Sequence, residues 1–291
     1  EQGDLLSTLY GQPGDAPTIT VRGVGTNGNP NPIYIVDGIQ VDAIDFLNPD
    51  DIKTIDILKD AASTAIYGAR GANGVVLITT NSGVKGAASA EYKTYYGIQN
   101  PWKIMEVMNA TDYANFINQG SLNAGRSPLY DNPDSFGNGT DWQREVYNFN
   151  APIMSHSVAF SNSNEKTSYN MALSYFGQEG IVGGDKSKFD RYTARLNLRH
   201  EVNDKINVGG NFSYALINRS AVASNLEFGG LISNAINLDP ITPLYMTDER
   251  ELGDSLSQYV LNPAVRNAAG QYYGISDIVA QEIVNPLARL E

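Results

Sequence analysis

From residue 90 onward apolar and polar side chains alternate in stretches of eight or more residues, and polar, Gly or Asn turns separate the stretches. In 90–98, Ala90, Tyr92, Tyr96 and Ile98 share one side, and Glu91, Lys93 and Tyr95 the other. In 153–161, Met154, Val158 and Phe160 oppose Ser155, Ser157 and Ser161. In 167–177, Tyr169, Met171, Leu173 and Tyr175 oppose Ser168, Asn170, Ala172 and Ser174. In 189–199, Tyr192, Ala194, Leu196 and Leu198 oppose Arg191, Thr193, Arg195, Asn197 and Arg199. In 206–216, Val208, Phe212, Tyr214 and Leu216 oppose Asn207, Asn211 and Ser213. Successive strand side chains point to opposite faces, so each stretch predicts a strand with one apolar and one polar face. A soluble β-sandwich has the same alternation. The links narrow the choice: those after the second and fourth stretches are short, whereas the others run about fifty, eleven and seventy residues. Short turns on one side and long loops on the other are expected of a transmembrane barrel whose first strand rises from the periplasm.

The first 85 residues follow a different grammar. Strands are predicted at 18–22, 33–36 and 53–58, with Asp37-Gly38 turning the chain back through 39–41. Residues 23–32 form a Gly/Asn/Pro loop, and 48–51 a helix start or tight turn. Asp60 is placed to cap a short helix through Ala61, Ala62, Ala65 and Ile66, which Gly68 stops. Gly71 to Gly74 then turn the chain into the apolar run Val75-Val76-Leu77-Ile78, a buried strand. This is a compact α+β domain ending near Gly83. Beyond it, Asp112 and Tyr113 begin a helix inside a long loop, and 220–291 reads as irregular.

No run of eighteen apolar residues exists, which excludes a transmembrane helix but not a strand of about ten residues with only alternate ones apolar. The chain carries 17 Tyr against 9 Phe and 2 Trp, a bias that suits wet interfaces and barrel girdles. With no Cys, disulfides and thiolate chemistry are excluded. The net charge is −12, and residues 1–60 alone hold ten acidic and three basic side chains, so nucleic acid is not an expected partner. The chain starts at Glu1 without a Met or a signal peptide, so the expectation is that more sequence precedes it.

Three blocks carry a resemblance: Arg22-Gly23-Val24-Gly25; Asn31 through Gly38 with Leu47 through Ile52; and, most specifically, Ile57 through Thr80. The last reads ILKDAASTAIYGARGANGVVLITT and resembles the end of the plug in SusC/RagA-like TonB-dependent outer-membrane transporters. Gln178-Glu179-Gly180-Ile181, Arg191-Tyr192-Thr193 and Asn285-Pro286-Leu287-Ala288-Arg289 resemble early barrel positions of the same family. The resemblance implies a plug over 1–85 and the N-terminal part of a barrel over 86–291, with large loops at about 100–150 and 220–291. The family barrel has 22 strands; here about five are legible and no TonB box is present, so the expectation is a fragment of a transporter. The implied partners are TonB, a SusD-like surface lipoprotein, outer-membrane lipid, and a glycan or peptide cargo. No cofactor is implied.

The plug motif residues singled out for structural or gating roles are Arg22, Gly23, Asp37, Gly38, Asp60, Tyr67, Gly68, Arg70, Gly71, Asn73 and Gly74. Gly68, Gly71 and Gly74 are not read as a phosphate loop, because no Gly-Lys-Ser/Thr follows and the glycines lead into a strand. Asp42, Asp45, Asp50 and Asp51 lack the spacing of an EF-hand and read as solvated turns. His156 and His200 are isolated and make neither a zinc site nor a triad, and no acid–base constellation suggests an enzyme. Arg191, Arg195 and Arg199 share one strand face. Arginine in lipid costs about 2–4 kcal/mol at the midplane, so on the transporter reading they form a lumen-facing ladder toward the acidic plug. Partly wet ion pairs there are expected to contribute roughly 0–1 kcal/mol each. The plain alternative is a solvated face. Arg70 either ties the plug loop to the barrel wall or is merely exposed. Substrate-contacting residues cannot be named individually. The rival function is a secreted or cell-surface glycan-binding or adhesion β-module without transport.

Overall fold

A computed structural model describes residues 5–8, 12–15, 18–21, 30–83, 86–223, 230–246, 267–279 and 284–290. The chain divides into two compact units, one formed by 1–98, 152–179 and 188–219, the other by 99–151, 180–187 and 220–291.

The first unit begins with an antiparallel pair, β1 (Leu5–Thr8) and β2 (Thr18–Val21). Four more strands form the plug sheet: β3 (Ile33–Val36), β4 (Ile39–Val41), β5 (Ile52–Leu58) and, after a short helix α1 (Ala61–Thr64), β6 (Val75–Thr80). Their order is β4-β3-β6-β5, with β3 and β6 parallel and the outer pairs antiparallel. The central parallel pair is apolar on both faces, as a strand covered on both sides must be. Tyr34, Val36, Val76 and Ile78 pack with Leu47 on one face, whereas Ile33, Ile35 and Val75 pack with Leu58 and Tyr67 on the other.

The predicted helix stop is present: α1 passes into a 3-10 segment, Ala65–Asn73, that Gly68 breaks at φ 66. The predicted cap differs. Asp60 occupies the N-cap but its side chain makes no cap hydrogen bond; its carbonyl accepts instead from Ser63 Oγ and Thr64 Oγ1. At Gly74 the φ is +95, and a Cβ would meet Val21 at 2.9 Å, so only glycine lets the chain enter β6 here.

The wall consists of β7 (Gly86–Gln99), β8 (Ala151–Ser163), β9 (Thr167–Glu179), β10 (Lys188–Asn203) and β11 (Ile206–Ser220), hydrogen-bonded in chain order. These strands run 13 to 16 residues, longer than the nine to eleven that a tilted strand needs to cross a bilayer. The β8–β9 and β9–β10 ladders are antiparallel and in register, with Val158 opposite Leu173 and Leu173 opposite Ala194. Among the described residues the sheet is open, with β7 and β11 as its edges.

Burial on this wall is inverted relative to a soluble sheet. On β9 and β10 the apolar row is exposed, Leu173 at 50% and Tyr192 at 48%, whereas Ser157, Asn170, Arg191, Thr193, Arg195 and Asn197 on β8–β10 are buried; β7 and β11 are exposed on both faces. Tyr92, His156, Tyr175 and Tyr192 form one aromatic row across four strands of the exposed face. The Tyr175 hydroxyl donates to Asp190 Oδ1 at 2.7 Å.

The second unit holds α2 (Ala110–Asn123), α3 (Trp142–Val146), α4 (Leu231–Asn237) and the two-residue pair β12 (Tyr245–Met246) and β13 (Tyr272–Tyr273). The loop helix expected near Asp112 is α2, capped by Asn109, whose side chain accepts from the Asp112 amide. The irregular reading of 220–291 is corrected over its described part. Trp142, Val146, Ala235 and Leu238 share a core, and Trp142 Nε1 donates to the Asp239 carbonyl at 2.9 Å. Short elements spaced by Asn and Pro carry no clear period, which is why this core is invisible in the sequence.

Candidate functional site: the seam between plug and wall

The polar face of the wall packs on the plug sheet within the first unit, and the contacts run as a row along β8–β10. Gln178 Oε1 accepts from the Gly14 amide at 3.1 Å. Arg191 Nη1 donates to the Asp45 carbonyl at 2.7 Å, and its guanidinium lies 5.4 Å from the Phe176 ring centroid. Ser157 Oγ donates to Asp50 Oδ2 at 3.1 Å. Arg195 Nη2 meets Asp37 Oδ2 at 2.9 Å. Asn197 Nδ2 donates to Thr80 Oγ1 at 3.2 Å and to the Asn81 carbonyl at 2.5 Å. Ser168 Oγ donates to the Gly83 carbonyl at 3.3 Å.

Asp37 is the centre of this row. It occupies the tight turn between β3 and β4 at φ 48, a left-handed conformation that Asp adopts more readily than most residues. Its amide donates to the Ile78 carbonyl. Its carboxylate accepts from the Thr80 amide at 2.9 Å, from Thr80 Oγ1 at 2.5 Å, and from Arg195. The Arg195 and Asp37 side chains are 5% and 14% exposed. Among the described residues one ion pair joins the ladder to the plug, with Arg195 buried and Asp37 half-buried. Breaking a fully buried pair costs about 3–5 kcal/mol, and the partial opening of Asp37 puts this one at the lower end.

The other ladder members fare differently. Arg191 reaches a plug carbonyl, not a carboxylate. Arg199 is exposed at the far end of β10. The tie from Arg70 to the barrel wall is also corrected. Arg70 is exposed and faces the plug's own β4 region, 3.7 Å from Asp42 and within 3.0–3.2 Å of the Gln40 amide oxygen once that amide is oriented toward it. Arg22 and Gly23 lie outside the described residues. Gly38 completes the Asp37 turn, Tyr67 packs on the plug core, and Asn73 precedes the Gly74 turn. At Gly71 a Cβ would approach the Thr64 carbonyl to 2.8 Å.

Asp51 is buried at the seam, and burial pushes its carboxyl above the usual value of 3.8, with Asp50 adding to the rise and Arg195, Arg191 and Lys93 opposing it. The four aspartates weighed as a calcium set take separate places: Asp42 on Arg70, Asp45 through its carbonyl on Arg191, Asp50 on Ser157, and Asp51 buried. A polar cavity of about 260 Å³ lies between Asp50, Asp51 and the wall residues Glu91, Lys93, Ser157 and Asn170. His156 Nδ1 lies on the exposed face within 2.8 Å of Tyr92 Oη, and His200 Nδ1 within 2.8 Å of Thr167 Oγ1.

Residue-by-residue reading missed Thr80, Asn81 and Ser157 as partners. Their trace is position: Thr80 and Asn81 follow the apolar run Val75–Ile78, and Ser157 falls on the polar parity of the wall.

Comparison with known proteins places this geometry. A family described as the TonB-dependent receptor plug domain matches residues 6–75. TonB-dependent receptor P26 of Formosa agariphila is 32% identical over 99% of this chain and 27% of its own length. TonB-dependent receptor SusC of Bacteroides thetaiotaomicron is 31% identical over 82% of this chain and 24% of its own length. The RagAB peptide importer in its closed-closed state superposes with a TM-score of 0.69 at 26% identity, over 82% of this chain and 30% of that one. The chain therefore spans about a quarter of the length of the curated relatives it matches.

Proposed function

This chain is SusC/RagA-like over the stretch it spans, a TonB-dependent receptor plug followed by barrel-type strands, and on that premise we propose that it serves nutrient import across the Gram-negative outer membrane. Residues 1–85 act as the plug and 86–291 as the first part of the wall and its loops. The complete receptor is a 22-stranded barrel, TonB supplies the work, and a SusD-like surface lipoprotein delivers a glycan or peptide. The RagAB neighbour is itself a peptide importer, which keeps both cargo classes in play.

The observation that carries this reading is the inverted wall. Tyr192, Leu196 and Leu198 are exposed while Arg195 and Asn197 on the same strand are buried against the plug. Hydrocarbon outside and a polar stopper inside account for both faces. A secreted β-module would bury the apolar row between two sheets, and no such burial is found on these strands. The seam suits a plug that must move, because its neutral hydrogen bonds contribute only about 0.5–1.5 kcal/mol each and exchange readily for water.

The test is uptake by cells in which this gene is the sole route for a cargo. Uptake should stop when either the gene or TonB is removed. Uptake that persists at full rate without TonB rejects the proposal.

A further inference from the structure

The polar cavity beside Asp50 and Asp51 is lined by two buried polar side chains that the rest of the protein leaves unused. Asp51 is 7% exposed, and among the described residues its carboxylate accepts no hydrogen bond and has no cation within ion-pair distance. Asn170, on the β9 side of the cavity, is also 7% exposed, and its side-chain amide makes no hydrogen bond among the described residues. Neither polar end is sealed beneath the surface; both open onto the cavity. Buried polar groups are almost always satisfied, so a carboxylate and an amide left over on one cavity call for a partner that the chain does not supply.

The charges nearby fix the sign of that partner. Asp50 stands beside Asp51 and accepts from Ser157 Oγ at 3.1 Å. The three cations that could answer Asp51 are committed elsewhere: Arg195 on Asp37 at 2.9 Å, Arg191 on the Asp45 carbonyl at 2.7 Å, and Lys93 on Glu91 at 3.4 Å. Burial first and Asp50 second push the Asp51 carboxyl above its usual range, the direction expected of a carboxylate short of positive charge. An anion would be repelled by Asp50, Asp51 and Glu91, and a neutral ligand would leave the buried charge uncompensated. The fitting partner is a cation. Among the described residues no three Asp, Glu or His side chains stand close enough to cage a metal ion directly, so the ion has to keep water in its shell. Mg²⁺ does this, since it sheds water reluctantly and binds through one or two carboxylates. At about 30 Å³ per water, six waters take up roughly 180 Å³, which a cavity of about 260 Å³ accommodates.

We propose that this cavity binds a hydrated divalent cation of the Mg²⁺ type, held between the Asp50 and Asp51 carboxylates of the plug and the Asn170 amide oxygen of the wall. The ion joins plug to wall, so it fastens the seam at a second place besides the Arg195–Asp37 pair. Asp42 and Asp45 have no part in it, and the wall ligand lies far along the chain, which is why no loop spacing announces the site. The inference goes beyond the import reading and does not depend on it, because it needs only the seam within the first unit.

The test is hydrogen exchange of the complete receptor in detergent, stripped with EDTA and then given MgCl₂, with NaCl of matched ionic strength as the comparison. The reporter is the Asn81 amide, which donates to the Asp51 carbonyl at 2.8 Å. With a dissociation constant of about 1 mM, about 10 mM Mg²⁺ should slow exchange there roughly tenfold. Two variants remove a ligand without removing a side-chain hydrogen bond of the fold: Asp51→Asn should lose the Mg²⁺ effect, and Asn170→Ala should need several-fold more Mg²⁺. Asp56→Asn, at an exposed acid on β5, should respond like wild type. In EDTA, Asp51→Asn should exchange more slowly than wild type, because it no longer buries an unpaired charge. The proposal is overturned if Mg²⁺ leaves wild type unchanged, if matched NaCl protects equally, or if Asp51→Asn is protected as strongly as wild type, which would place the ion on bound lipid. Should Asp51→Asn fail to fold, Asn170→Ala decides: an unchanged Mg²⁺ dependence overturns the site.

Discussion

Replacing Asp37 with Asn removes one charge and little else. Asn tolerates the left-handed turn at φ 48, and its amide oxygen can still accept from the Thr80 amide. What is lost is the counter-ion of Arg195, a side chain only 5% exposed. An exposed ion pair would contribute about 0–1 kcal/mol, whereas breaking a buried one costs about 3–5 kcal/mol. Asp37 retains 14% exposure, so the lower end applies, about 3 kcal/mol. At 1.4 kcal/mol per tenfold, this is roughly a hundredfold shift in the equilibrium for local opening. The assay is hydrogen exchange of the β3 and β6 amides in the detergent-solubilised protein, because exchange from central strands reports opening free energy directly. Asp37→Asn should raise exchange at Val36 and Ile78 about a hundredfold. Arg199→Ala, at an exposed wall position, should leave it within about twofold. If Asp37→Asn changes exchange by less than about fivefold, the pair behaves as a screened surface pair and the plug is seated by other contacts.

Three further outcomes follow from the same geometry. At Gly83 a Cβ would lie 2.4 Å from the Asn162 carbonyl oxygen and 2.8 Å from the Tyr169 amide, both backbone atoms. Gly83→Ala should therefore destabilise the plug–wall seam by about 1–3 kcal/mol, read as a lower urea midpoint; an unchanged midpoint would show the seam can yield there. Asp51 has a folded pKa raised by burial above 3.8, so the folded state holds its proton more tightly than the unfolded chain. Its contribution is then most favourable below that pH and is lost as pH rises through the folded value. Asp51→Asn should gain stability relative to wild type between acid and neutral pH, and a parallel pair of stability–pH curves would contradict this. Finally, Leu173→Arg on the exposed face should cost about 2–4 kcal/mol for insertion into lipid vesicles, although the same change on a soluble surface is nearly neutral. A neutral result in vesicles would place Leu173 outside the hydrocarbon.

The wall was legible because its pattern is periodic. Two-residue alternation over long stretches defines strand, face and turn at once, so the buried Arg195 and exposed Leu196 follow from parity alone. The plug sheet was legible in outline because Asp37-Gly38 and Gly74 are local turn chemistry. Partner choice was not. Arg191, Arg195 and Arg199 are equivalent in sequence, each four residues from the next on one face, yet one finds a carboxylate, one a carbonyl and one solvent. That outcome depends on how far the plug extends along the wall, which no local pattern encodes. The same limit hid Phe176 and Phe189, apolar residues on the polar parity whose rings meet edge to face at the seam.

Arginine parity and plug seating are linked by more than convenience. A strand that presents hydrocarbon outward must present something else inward, and in this unit that something is satisfied by the plug at Ser157, Arg195, Asn197 and Ser168. Three of these four contacts involve a neutral side chain on the wall, and such bonds trade for water at small net cost. Of these four contacts only Arg195–Asp37 pairs two charges, one buried and one half-buried, and wetting it requires the turn between β3 and β4 to move away from β10. A pull that separates plug from wall therefore meets one high step among several low ones. Its height is set by the burial of that pair more than by the number of hydrogen bonds, so lengthening the row with further Ser or Asn contacts would change the opening barrier less than exposing Asp37.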